Sequence, residues 1–520
     1  MKHTAPFLLY LGLAVTAAAQ NPAPQHSAEF RADHAYQKAA AQGPEALRAF
    51  LVGFPKGADL HVHLSGAVYA ETFLREAAED GACIDPDALA IVKAPCTGKL
   101  VPASELSGNL SASSQLLYDK LVDALSMRSF VPSASWSGHD QFFATFGRVS
   151  GLKKDHAAEW VDEVASRSAA QNQQYLELMQ TPPFGHAIAA AQKLGWPAGE
   201  PDFANLREQM LSSGLREDIA AGREEMRSAE AGRRQLEHCE SPQAAPACQV
   251  QVRFIYQILR GNPPQQVFAQ TLLGFETIAA AMAAHDDTFV GINFVMPEDG
   301  YLSMRDYTLQ MCMLDYLHSV YPQVPITLHA GELAGDLVPP EGMRFHIREA
   351  VELGHAQRIG HGVDVMHEDN ASQLLKEMAD RHVMVEINLS SNEGILGVQG
   401  AAHPFPLYRA AHVPVALSTD DEGVSRIDIT HEYVRAALDY KLSYSELKQL
   451  ARTGMAHDFL PGTDLWASSD VFTTPAAACK ADQPGSDKPS SNCKALLDQS
   501  QKAAAEWELE RRFREFERRF

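Results

Sequence analysis

Apolar and β-branched residues gather in eight short runs along the chain, at 57–63, 174–180, 252–259, 288–294, 324–329, 356–361, 382–388 and 413–419. Each run has the length of a strand, and helical stretches lie between them. Strands that alternate with helices predict a parallel sheet, since parallel neighbours need long crossovers. Eight is the number that closes a (β/α)8 ring, so the expected fold class is α/β, a TIM barrel. Two short helices, at 27–41 and 44–52, lead into the first run.

Four of the runs end in polar segments: HVHL with His61 and His63, HAGE with His329 and Glu332, GHG with His361, and TDD with Asp420 and Asp421. In a barrel, the C-terminal strand ends form the mouth, where catalytic groups collect. His61 and His63 are two apart on a strand, so both side chains point to one face. With His329 and Asp420 they make three imidazoles and a carboxylate, a set that suits one zinc ion per chain and leaves a position for water. Zinc lowers the pKa of bound water towards ~7. Glu332, three residues past a ligand, is placed to donate a proton to a substrate, and His361 to take or electrostatically hold the water's proton.

HVHLSGA, HAGE, RIGHG and LSTDD are similar, in order, to the signatures of adenosine deaminases in the metal-dependent amidohydrolase superfamily. ITHEY followed by LSYSELKQLARTGMAHDFL resembles that family's closing helices, and the resemblance covers roughly residues 50–462 with gaps at two insertions. It implies zinc on His61, His63, His329 and Asp420, protonation of purine N1 by Glu332, help for the water from His361, and Asp421 facing N7. The implied reaction is hydrolytic deamination of adenosine or 2'-deoxyadenosine to the inosine form, with release of ammonia. A lone pair at N1 or N7 cannot bond to a bare carboxylate, so Glu332 and Asp421 are expected to be protonated. Glu386, in VEINLSSN, resembles the family's acidic residue that supports the catalytic histidine, so it is expected to orient His361.

Two positions depart from the family pattern. Ser65 stands where an Asp usually follows HxHL, which touches recognition of the ribose 5'-hydroxyl, and Met296, in GINFVMPED, stands at a glycine whose amide lies near N3. Both keep open a deaminase of another 6-aminopurine: adenine, or an N6-substituted or 5'-modified nucleoside. A nucleoside-binding or signalling protein without turnover is a third reading. Trp136, Phe142, Phe143 and Phe146 fall where the family tends to place an apolar lid helix, although core packing explains them equally.

With 520 residues the chain exceeds a bare barrel, which points to a single barrel over 57–462 carrying insertions at about 80–140 and 184–250, preceded by N-terminal helices over 20–56 and followed by a C-terminal extension over 463–520. Lys2 and His3, the apolar run 7–15 and Ala17 to Ala19 read as a secretory signal cleaved after Ala19. The protein is therefore expected to be exported, periplasmic or secreted. An oxidising compartment lets nearby thiols pair, as Cys83 with Cys96, Cys239 with Cys248 and Cys479 with Cys493. Cys312, in LQMCMLDYL, is left as a buried free thiol. The net charge of -22 argues against nucleic acid or an anionic membrane as partner, and the family resemblance implies a small purine nucleoside as substrate. Trp507, Phe513, Phe516 and Phe520 recur at helical spacing, so the C-terminal segment is expected to dock as a helix. Export, insertions and cysteine couples together resemble the layout of secreted, growth-factor-type adenosine deaminases, which suggests a homodimer.

Overall fold

The computed structural model describes residues 27–520 apart from 109, 154 and 155, so the expected signal segment lies outside the described residues. All eight runs are strands: β1 (Gly57–His63), β2 (Gln173–Gln180), β3 (Gln251–Leu259), β4 (Phe289–Val295), β5 (Thr327–Ala330), β6 (Arg358–His361), β7 (Met384–Ile387) and β8 (Val415–Leu417). They form two four-stranded parallel sheets, β1-β2-β3-β4 and β5-β6-β7-β8. Bridges Val62–Asp420 and Ile292–Ile326 join the sheet edges and close the barrel. Every residue of β4 is buried. Strands covered on both faces read as continuous apolar runs, without the alternation of a half-exposed sheet.

β5 and β8 are shorter than their runs because each is preceded by a proline, Pro325 or Pro414, which has no N–H to give a ladder. Their carbonyls still accept, from Ile292 N at 3.1 Å and Val385 N at 2.9 Å.

Below the first strand, the helices Ala28–Gln42 and Pro44–Leu51 meet the C-terminal helix Gln501–Glu517. Phe54 packs there against Tyr433, Tyr444, Phe513 and Phe516. The C-terminal segment is thus a docked helix, although Phe520 remains 40% exposed.

The three disulfides are Cys83–Cys96, Cys239–Cys248 and Cys479–Cys493. The first staples a small antiparallel sheet in the β1–β2 insertion. That insertion also contributes the helix Gly138–Arg148, started by a capping box of Ser137 and Asp140. The second insertion holds the helices Gly185–Leu194, Phe203–Met210 and Glu217–Leu236. Cys312 is free but only half-buried, which corrects its expected place in the core. On the helix Tyr307–Val320, Met311, Met313 and Leu314 take the inward positions, and Cys312 falls beside that stripe. Among the described residues no helix is long and apolar enough to cross a membrane.

Candidate metal centre and active site

The barrel brings the four segments together. His61 Nε2 lies 3.1 Å from His329 Nε2 and 3.6 Å from Asp420 Oδ1; His63 Nε2 lies 3.2 Å from His329 Nε2 and 3.4 Å from Asp420 Oδ1. Donor atoms of a tetrahedral zinc site with bonds of ~2.0–2.1 Å stand roughly 3.3 Å apart. His361 is also close, since its ring and those of His61 and His329 group with Asp420 within 4.8 Å.

Hydrogen bonds to the far side of each ring show why these atoms converge. His61 Nδ1 faces Glu386 Oε2 at 2.6 Å, His63 Nδ1 faces Gln257 Oε1 at 2.7 Å, and His329 Nδ1 faces Asn293 Oδ1 at 2.8 Å. Each partner is an acceptor, so each Nδ1 carries a proton. Burial lowers His63 and His329, which turn an Nε2 lone pair inward. For His61 burial is outweighed by Asp420 and Glu386, which raise it to about 10, so that a cation would take the place of its Nε2 proton. One added proton could serve only one of the resulting close contacts, whereas a divalent cation serves all of them together with the Asp420 carboxylate. The residues present therefore fit a metal.

His361 and Asp420 have φ of 70° and 60°. Non-glycine residues held in the left-handed region mark places where the surrounding structure over-determines the backbone. Gly66 is needed for a different reason: a Cβ there would lie 1.4 Å from Asp421 Oδ1. The glycine of HVHLSGA thus makes room for the carboxyl of TDD.

Glu332 and Asp421 are buried in a cavity whose lining, among the described residues, includes no lysine or arginine. Burial, followed by the charges of Asp420 and Glu298, pushes the Glu332 carboxyl well above its usual range. Burial and Asp420 do the same for Asp421. Burial lowers His361 to about 3, which keeps its imidazole neutral. The turn that carries Glu332 is held from below by Glu298, whose carboxylate accepts from Gly331 N at 3.0 Å, Glu332 N at 2.8 Å and His346 Nδ1 at 2.6 Å.

A cavity of about 370 Å³ contains Glu332, Asp420, Asp421, His63 and His329 and opens past Ser65 and Met296. Phe142, Phe143 and Phe146 of the helix Gly138–Arg148 line it, whereas Trp136 is not among the lining residues. Met296 has φ 90° and is 42% exposed. Its side chain turns away over Gly261, where a Cβ would stand 2.8 Å from Met296 Cε. A larger cavity of about 980 Å³, bordered by His382, Arg409 and Asp470, contains none of these groups.

Glu386 is at the site, but its partner differs from the one expected. It bonds His61, Arg358 and Thr327 at 2.6, 2.6 and 3.0 Å, and His361 instead has Asn392 at 2.9 Å. β7 pairs beside β6, and Glu386 sits opposite Gly360. That register aims its carboxylate at His61, whose ring fills the space over Gly360.

Gln257, Asn293, Glu298 and Asn392 were not singled out in the sequence. Gln257 and Asn293 did carry a signal, an amide inside an otherwise apolar strand run, where a buried polar group needs a partner. Glu298 and Asn392 carry none, because their partners are set by loop paths.

The adenosine deaminase family model matches residues 153–465, beginning after the HVHL segment. Adenosine deaminases of Enterococcus faecalis and Escherichia coli are 36% and 40% identical over 138 and 136 residues, 26% of this chain each and 37% and 38% of their own lengths. The chain thus spans well under half the length of the curated relatives it matches. Among solved structures it is similar to an adenine deaminase from Arthrobacter aurescens, with a TM-score of 0.50 and 16% identity over 78% of this chain and 94% of that one. An arabidopsis N6-mAMP deaminase gives a TM-score of 0.50 and 22% identity over 79% and 96%. At these identities the likeness is one of fold.

Proposed function

The chain belongs to the adenosine deaminase family, and from that membership we propose that it removes the 6-amino group of adenosine or 2'-deoxyadenosine by hydrolysis, releasing ammonia. One observation carries the reading: the Nε2 atoms of His61, His63 and His329 and the Asp420 carboxylate converge beside two acids, Glu332 and Asp421, that burial keeps protonated. A cation held by His61, His63, His329 and Asp420, zinc in this proposal, would supply water that ionises near neutrality. The chain's own residues do the rest. Glu332 donates its proton to N1, which lets the ring accept electrons as water adds at C6. Asp421 donates to N7 and fixes the ring plane. His361 steadies the attacking oxygen. The oxygen becomes the 6-oxo group, and of the two protons the water gives up one reloads the Glu332 carboxylate and the other joins the amino group, which leaves as ammonia.

A second reading, a different 6-aminopurine, is favoured by Ser65 and Met296 at the cavity mouth. Among the described residues the lining includes no lysine or arginine. A 5'-monophosphate would find no lysine or arginine there to neutralise it, so an uncharged nucleoside suits the wall better. Ammonia release measured on adenosine, 2'-deoxyadenosine, adenine and adenosine 5'-monophosphate separates these readings. Adenosine or its deoxy form should lead; zinc-replete protein that releases nothing from any of them would refute the deaminase reading. We also infer export, supported by the three disulfides. Recovery of the protein solely from the cytosol would contradict it.

A further inference from the structure

His361 ends β6 fully buried. Which ring nitrogen holds its proton decides its role: with the proton on Nε2 it is a donor towards the metal side, and with a lone pair there it is a base. The choice can be traced to a backbone group. Phe405 N–H donates to His403 Nδ1 at 3.1 Å. A peptide N–H cannot accept, so Nδ1 is the acceptor and the neutral ring carries its proton on Nε2. Burial holds His403 down at about 4, which keeps the ring neutral. His403 Nε2 lies 3.0 Å from Asn392 Oδ1, and this orients the amide. Turned by 180°, the amide would point its NH2 at another N–H. Asn392 Nδ2 therefore donates to His361 Nδ1, at 2.9 Å.

His361 Nδ1 is then the acceptor, and the proton is on Nε2, on the side of Asp420 Oδ2 at 3.9 Å. Two other groups come near without changing the result. Glu332 Oε1 is 3.6 Å from Nδ1, beyond hydrogen-bond reach. Asn388 Nδ2 is 3.4 and 3.5 Å from the two ring nitrogens and so selects neither.

We propose that Asn392 and His403 are positioning residues that lock His361 as the Nε2–H tautomer, so that in deamination it meets the attacking oxygen as a hydrogen-bond donor. The role in deamination rests on the function proposed above; the tautomer does not. The test is nitrogen-15 spectroscopy of the zinc-loaded full chain labelled at histidine, with His361 assigned by its loss in His361→Gln. Nε2 should show the shift of a protonated ring nitrogen and Nδ1 that of an unprotonated one. Asn392→Asp keeps the shape and the His403 bond but replaces a donor with an acceptor. It should exchange the two shifts and lower kcat on adenosine by about 100-fold, with KM changed by less than about threefold. His403→Gln retains an N–H for Asn392 and should stay within about fivefold of the parent, whereas His403→Leu should lose more than about tenfold. An unprotonated Nε2 in the parent overturns the proposal, as does an Asn392→Asp protein with unchanged shifts and kcat. The expected shifts without ammonia release would overturn only the deaminase reading.

Discussion

Two sets of buried carboxyl groups share this site and hold opposite charge states. Under the histidines, Arg358 lies between Glu177 and Glu386, bonded to each at 2.6 Å, and all three side chains are fully buried. Burial opposes ionisation of Glu386, but Arg358 and His61 outweigh it and hold the carboxyl below its usual range. At the cavity wall, Glu332 and Asp421 have no such cation, and burial with neighbouring acids keeps their protons on. Both places are buried. What differs is the partner, so one residue type is an anionic support below and a protonated acid above.

The contrast breaks entirely if the wall acids work without the cation centre. His329→Ala removes the imidazole whose Nε2 lies beside those of both His61 and His63, and it should abolish stoichiometric zinc by metal analysis and bring ammonia release below about a thousandth of the parent rate. Glu332→Gln keeps the shape but has no proton to transfer, so kcat should fall by about 10²–10⁴-fold while KM moves little. Because the protonated form is the active one, the parent should lose activity as pH rises through the raised Glu332 pKa, and the variant should lack that limb. A pH profile with no such limb in the parent would argue against a neutral Glu332.

Arg358→Met tests the other half. It leaves two anions buried without their cation, so urea unfolding should show a loss of about 3–5 kcal/mol. Relative stabilities of metal-free protein against pH sharpen the contrast further. Glu386 has a depressed folded pKa, so its contribution is present above the unfolded value and is lost as pH falls through the folded one. The deficit of Glu386→Gln should therefore shrink on acidification. Glu332 has a raised folded pKa, so the parent loses stability as pH rises through it, and Glu332→Gln should gain relative to the parent in that direction. Equal slopes for the two variants would erase the distinction. The smallest effect concerns the rim: Met296→Gly relieves φ 90° and should raise stability by no more than about 1 kcal/mol.

Much of this site was legible before any coordinates. His61, His63, His329 and Asp420 sit at the ends of apolar runs, and strand ends on one side of a barrel must meet. The cysteine couples were legible for a similar reason, since short separations leave little choice of partner. The aromatic wall was half-legible: Phe142, Phe143 and Phe146 follow a capping signal, but nothing local says that their helix faces the cavity. The partner of Glu386 was not legible, because the β6–β7 register decides whether it meets His61 or His361.

Residue order by itself determined the barrel and the side-chain types gathered at its mouth, because hydrophobic patterning and side-chain identity are local properties. Only the tertiary structure decided which proton each group keeps. Protonation depends on what stands within a few ångströms: Arg358 beside Glu386, the Asp420 and Glu298 carboxylates near Glu332, and Asn392 turned towards His361. Arg358 and Asn392 stand 28 and 31 residues away along the chain from Glu386 and His361, so distance in sequence carries no trace of them.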